Sequence, residues 1–283
     1  MKKAITLLSL IFIVCLYPAL AQTSTELNNQ GLAKYKARDY TGALQDFNKA
    51  VELDAKNEKA LHNRGLAKYA MKDYEGSIKD QTKAIEINPS YANAFNDRGM
   101  VYYRQNNFKN ALQDYNKAIE YDPVYFIAYK NRATLQYATK DYDAALKDYE
   151  KCIALKSKDA DGYMGRGSIK NLQKDYPAAI KDYTRAIEYQ PNLAVAYLNR
   201  GNARFILDDI EGALADFIKV TQLQPDNGNV YFNIGVIYAG KKQSAAAIAA
   251  FKKYNAILLN EWNGYKSTAD VYYILLTKYD SSE

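Results

Sequence analysis

Residues 92–125 read ANAFNDRGMVYYRQNNFKNALQDYNKAIEYDPVY. Phe95, Gly99 and Tyr102 recur every three to four residues, the spacing of one face of a helix. Asn106-Asn107 interrupts the pattern, and Ala111, Tyr115 and Ala118 then make a second apolar stripe. Pro123 stops that stripe, because its ring and missing N–H cannot continue a helix. The stretch therefore predicts two short helices joined by a tight turn. Small residues at Gly99, Ala111 and Ala118 let the helix backbones approach, while Phe95 and Tyr115 fill the space beside them.

The same unit runs along the chain in both directions. Gly31, Gly65, Gly99, Ala133, Gly167, Gly201 and Gly235 are each 34 residues apart. So are Ala43, Ser77, Ala111, Ala145, Ala179, Ala213 and Ala247, and a third series runs from Ala50 and Ala84 to Val220 and Tyr254. Seven units follow without insertion: 24–57, 58–91, 92–125, 126–159, 160–193, 194–227 and 228–261. Asp39, Asp73, Asn107, Asp141, Asp175 and Asp209 fall at the mid-unit break, where a short acceptor side chain caps the next helix. One helix pair cannot bury both of its faces, so each unit needs its neighbours.

The pattern resembles the tetratricopeptide repeat. It has a large residue at position four, glycine at eight, alanine at twenty, an aromatic at twenty-four, alanine at twenty-seven and proline at thirty-two. The resemblance covers nearly all of the chain beyond residue 21. It implies an all-α fold, a right-handed superhelical α-solenoid whose first helices line a concave surface that binds protein. Some positions depart from the family. Position seven is arginine at Arg64, Arg98, Arg132, Arg166 and Arg200, where leucine is usual. Position eleven is Lys34, Lys68, Gln136, Lys170 or Arg204 where tyrosine is frequent, and Gln81 replaces the position-twenty-four aromatic. The last unit degrades, with Ser244 and Leu259 at consensus positions. Tyr265, Ala269 and Tyr272 then match the first helix of an eighth unit, so residues 262–283 are expected to form a capping half-repeat with a loose end at Ser281–Glu283.

Two series on the implied concave face are candidate peptide-binding residues. Position six carries Asn29, Asn63, Asp97, Asn131, Asn199 and Asn233, broken by Gly165. An asparagine both donates and accepts, so it can bond the backbone of an extended peptide without reading its side chains. This resembles the asparagine ladder of the eukaryotic O-linked N-acetylglucosamine transferase repeats. Position twelve carries Tyr35, Tyr69, Tyr103, Tyr137 and Phe205. Exposed, these rings form a ribbon suited to protein partners, or to stacking on sugars; otherwise they pack helices together. A third series, Asp46, Asp80, Asp114, Asp148, Asp182 and Asp216, suggests an ion-pair ladder with the position-seven arginines. The alternative pairing is with the Lys or Arg three residues on, as on an ordinary helix surface. The carboxylate clamp of chaperone-binding relatives cannot be assembled, since Thr134 and Gly165 stand where asparagines are needed near Lys130.

The N-terminus reads as a secretory signal. Lys2 and Lys3 precede the apolar stretch from Ala4 to Leu16, and Ala19-Leu20-Ala21 offers small residues for cleavage before Gln22. The apolar stretch is short for a membrane anchor of about 20 residues, and Val14 before Cys15 argues against lipidation. Export to the periplasm or cell surface follows as an expectation, with no membrane span after cleavage. Cys152 is then the remaining cysteine, so no internal disulfide forms.

Among 283 residues there are 27 tyrosines and one histidine, His62. No catalytic Ser-His or Cys-His set, metal-ligand cluster or phosphate-binding glycine loop can be drawn, so neither an enzyme nor a cofactor is expected. The formal charge of +6 is spread without runs, which gives no case for nucleic acid. The expected function is an exported scaffold for a protein or peptide partner, with self-association through end repeats open. The alternatives are an envelope-polymer or carbohydrate binder using the tyrosine ribbon, and a regulatory subunit of a separate enzyme.

Overall fold

The computed structural model describes residues 22–262, with side chains described to Ile257. The expected signal segment, 1–21, and the expected capping half-repeat with its loose end, from Asn263 onward, lie outside the described residues. Among the described residues the chain is all α-helix and turn, in two units divided after Gln105.

The first unit holds α1 (Ser24–Lys36), α2 (Tyr40–Leu53), α3 (Glu58–Ala70), α4 (Tyr74–Ile87) and α5 (Ala92–Arg104). The second holds α6 (Phe108–Tyr121), α7 (Phe126–Ala138), α8 (Tyr142–Leu155), α9 (Ala160–Leu172), α10 (Tyr176–Tyr189), α11 (Ala194–Ile206), α12 (Ile210–Leu223), α13 (Gly228–Gly240) and α14 (Ser244–Trp262). Helices of 13 or 14 residues are marginal alone in water. Within each unit they pack on their neighbours in sequence, and first helices of successive repeats also touch: α1 on α3, α3 on α5, α7 on α9 and α9 on α11. This consecutive helix-pair stacking is the solenoid arrangement that the repeat implied.

The turns follow from single residues. Asp39, Asp73, Asn107, Asp141, Asp175 and Asp209 each accept the backbone N–H three residues on, at 2.9–3.3 Å. Just before them, Arg38, Lys72, Asn106, Lys140, Lys174, Asp208 and Lys242 adopt left-handed backbone, φ 57–66°. In the turn after α7, Lys140 N–H bonds Tyr137 C=O and Asp141 N–H bonds Gln136 C=O, a paired closure that ends one helix as Asp141 starts the next. Prolines at 89, 123, 191 and 225 each follow the end of a helix by two residues. With Leu259 in that register, α14 runs on to 19 residues.

The helix pairs close through glycine and aromatic. A Cβ on Gly31 would lie 2.6 Å from Phe47 Cε1, and one on Gly167 2.9 Å from Tyr183 Cε1. Phe47 and Tyr183 are fully buried.

Candidate functional site on the first-helix face

The arginine series fixes the register on which the face is built. Arg64, Arg132, Arg166 and Arg200 each bind the aspartate sixteen residues on through Nε and Nη2, at 2.6–2.9 Å. Asp80, Asp148, Asp182 and Asp216 are buried. Such two-point pairing holds the first helix to the second in one orientation. The remaining Nη1 reaches back to the preceding repeat: Arg64 to Asn48, Arg98 to Thr82, Arg132 to Asn116 and Arg200 to Thr184, at 2.7–3.3 Å. One guanidinium thus ties two helices of its own repeat to the one before. It also lies over the position-four ring, as Arg132 does over Tyr129 at 5.6 Å and Arg200 over Tyr197 at 5.5 Å.

Three of the five departures at position eleven have the same cause. Lys34 reaches Asp46, Lys68 reaches Asp80 and Arg204 reaches Asp216, at 2.7–2.8 Å. Lys117 and Arg185, three residues after Asp114 and Asp182, pair forward with Glu120 and Glu188. The buried aspartates take cations from the first helix because that helix lies directly against them.

The position-six residues are tied sideways. Asn63 Nδ2 donates to Asn28 Oδ1 of the preceding repeat at 2.8 Å. Asn233 Nδ2 donates to Asn202 Oδ1 at 3.2 Å. Asp97 lies 3.5 Å from His62 Nε2. Asn131 lines an opening between α7 and α9, Asn199 is half-buried, and Asn29 is exposed. Each bonded amide retains donor and acceptor capacity beyond its lateral bond.

The gap at Gly165 is filled from behind. A Cβ there would lie 2.2 Å from Tyr149 Cζ, so the Tyr149 ring occupies the space of the missing asparagine. Burial pushes the Tyr149 phenol above its usual range, against a hydrogen bond with Thr134 that lowers it. The opening there, about 310 Å³, is polar and edged by the Lys130–Asp161 ion pair at 2.9 Å.

The position-twelve rings are half-buried rather than a free ribbon. Tyr35 packs on Tyr40, Tyr69 on Tyr74 and Tyr137 on Tyr142, with centroids 5.3–5.7 Å apart. Tyr69 also accepts from Arg104 Nε at 3.2 Å, and Tyr103 is half-buried. Phe205 differs: Ile210 follows where the others have an aromatic residue, and its ring is 40 % exposed. It opens onto a pocket of about 320 Å³ between α11 and α13, lined by Asn202, Phe205, Ile206, Phe232, Asn233 and Val236, with Phe217 at its base. This apolar cup with two amides unites one residue from each candidate series. Sequence reading of the two series separately did not reveal it; Ile206, Phe232 and Val236 carry no 34-residue signal.

Cys152 is fully buried at an alanine position, and burial pushes its thiol up to about 12, with Asp159 and Asp148 adding. Among the described residues no three His, Cys, Asp or Glu side chains gather as a metal-ligand group, and no helix is long and apolar enough to cross a membrane.

Similar proteins agree with this construction. Three family models match, all described as tetratricopeptide or TPR repeat: one over residues 92–125, one over 65–106, 167–208 and 201–242, and one over 128–159 and 228–257. No curated protein matches the sequence. A tetratricopeptide repeat protein from Parabacteroides merdae is similar in structure at TM-score 0.60 and 20 % identity, covering 90 % of this chain and 98 % of its own. PilF of Pseudomonas aeruginosa aligns at TM-score 0.67 and 17 % identity, over 71 % of this chain and 92 % of its own. YrrB, described as a TPR protein with an unusual peptide-binding site, aligns at 0.55 and 20 %, over 70 % and 97 %. At these identities the likeness is one of fold. With the period, the helix pairs and the family models in agreement, the chain belongs to the tetratricopeptide repeat family.

Proposed function

We propose that this protein is an exported, non-enzymatic scaffold that binds an extended peptide segment of a protein partner on its first-helix face. The observation that carries this reading is the pocket between α11 and α13, where exposed Phe205 and Ile206 stand beside the amides of Asn202 and Asn233. An apolar cup of that size takes one large side chain, and the amides bond the backbone on either side. The peptide-binding site described for YrrB is consistent with such a use of the fold. Within the same unit, Asn131 and Tyr137 of α7 offer further polar surface on the first-helix face.

Export is part of the proposal and rests on Lys2, Lys3, the apolar stretch and Ala19-Leu20-Ala21. The test is affinity capture from native envelope extract on immobilised wild type and on Val236→Asp. The charge placed in the cup is expected to remove at least one partner that wild type retains. Equal capture of every partner by both proteins overturns the placement of the site.

A further inference from the structure

The one histidine of the chain sits in a buried polar cluster of the first unit, where it meets Asp97 of the position-six series. His62 of α3 is 7 % exposed, and its Nδ1 lies 3.0 Å from Gln81 Oε1 on α4. Gln81 Nε2 in turn donates to the His62 backbone carbonyl at 3.1 Å. A backbone carbonyl only accepts, so the glutamine atom facing it is the NH₂, and the atom facing Nδ1 is the carbonyl oxygen. Nδ1 therefore carries a hydrogen. Gln81 has lost the aromatic that other repeats place here, and it fixes the ring's tautomer instead.

The other ring nitrogen, Nε2, lies 3.5 Å from Asp97 Oδ2 on α5. In a neutral ring with Nδ1–H, Nε2 is a lone pair, and a lone pair facing a carboxylate is repulsive. The contact is attractive only when the pair holds a proton. We propose that the α3–α5 junction is held by a single proton carried by the His62–Asp97 pair, and that the junction loosens as pH rises and the proton leaves.

The charges around the pair are few: Glu58 stands one helical turn before His62 on α3, and the others are already paired. The second Asp97 oxygen accepts from Asn96 Nδ2 at 2.9 Å. Tyr91, leading into α5, lies against the imidazole at 5.1 Å; burial pushes its phenol up to about 12, with Glu58 of α3 and Asp97 adding. Tyr35 of α1 is also raised, by burial first, then by Tyr40 and by Asp97. Both phenols stay neutral. The nearby charge on α4, Asp80, is already held by Arg64 and Lys68, and α2 meets this part of α3 with apolar Val51. Burial raises the Asp97 carboxyl, while His62 and Asn96 oppose that rise. A raised carboxyl means that the folded chain holds the proton more tightly than the unfolded chain. Its stabilisation is therefore complete at low pH and is lost as pH rises through the folded midpoint of the pair.

The inference stands whether or not the face binds peptide, and its test needs no partner. The chain has one histidine, so its ring nitrogens give an unambiguous signal. ¹H–¹⁵N spectra of the full chain are expected to show the neutral ring as the Nδ1–H tautomer; the Nε2–H tautomer overturns the proposal. Amide protection factors of α3 and α5, corrected for intrinsic exchange, are expected to fall with rising pH by up to about tenfold per unit, one proton's effect, while those of α9 and α11 hold. In Asp97→Asn the amide can donate to the neutral ring, so the α3–α5 dependence is expected to flatten. A flat wild type, or an equal slope in Asp97→Asn, contradicts the shared proton.

Discussion

At the residue scale, the arginine at position seven explains more than any other single choice. A leucine there, as is usual in the family, serves packing alone. The guanidinium instead satisfies a buried aspartate, stacks on an aromatic and bonds the preceding repeat, as Arg132 does with Asp148, Tyr129 and Asn116. Arg132→Ala strands the Asp148 carboxylate in the core. The full penalty for a broken buried pair is about 3–5 kcal/mol; partial exposure of the arginine brings the expectation to about 2–3 kcal/mol in urea unfolding. The sequence showed both series and their shared period. It could not choose between partners three and sixteen residues away, because that choice depends on which helix lies over the aspartate.

Gly165 gives a second residue-scale expectation. Its missing side chain is where the Tyr149 ring lies. Gly165→Ala forces that ring to move and is expected to cost about 1–3 kcal/mol. Tyr149→Leu in the same chain should recover part of that loss, and a thermal double-mutant cycle measures the coupling. From sequence alone the glycine was a break in a ladder; Tyr149, sixteen residues earlier, supplies its reason. His62 and Gln81 make the same point, since two separate oddities in the sequence are one hydrogen-bonded pair.

At the element scale, helix starts were legible because capping is local chemistry. Asp39 through Asp209 sit at the break and accept the N–H that the next helix leaves unpaired. The left-handed residue just before each cap was not legible. Lysine, arginine, asparagine and aspartate fill it, and none advertises a positive φ as glycine does. Lys140, at φ 66°, is therefore strained. Lys140→Gly is expected to stabilise the chain by about 0.5–1 kcal/mol, and Lys140→Val to destabilise it by about 1–2 kcal/mol, since a branched side chain tolerates this region worst. Chemical denaturation of the two variants beside wild type measures both signs.

At the scale of the whole molecule, the 34-residue period made the repeat architecture readable before any coordinates. Position-specific packing then follows within each unit, as Gly31 under Phe47 and Gly167 under Tyr183 show. The candidate face was only half readable. Its amides and rings were found by register, but the cup between α11 and α13 depends on Ile206, Phe232 and Val236, which do not repeat. Repetition reveals what holds an array together, whereas the proposed recognition cup lies where the copies differ.

The most direct test of the account is photo-crosslinking in native envelope from two positions of the second unit. A photoreactive residue replaces Phe205, which opens on the cup, or Ile218 on α12, which is also exposed. The account predicts a specific covalent adduct with a partner from position 205 and none from 218. Adducts from 218 with none from 205 would place recognition on the second helices and contradict it.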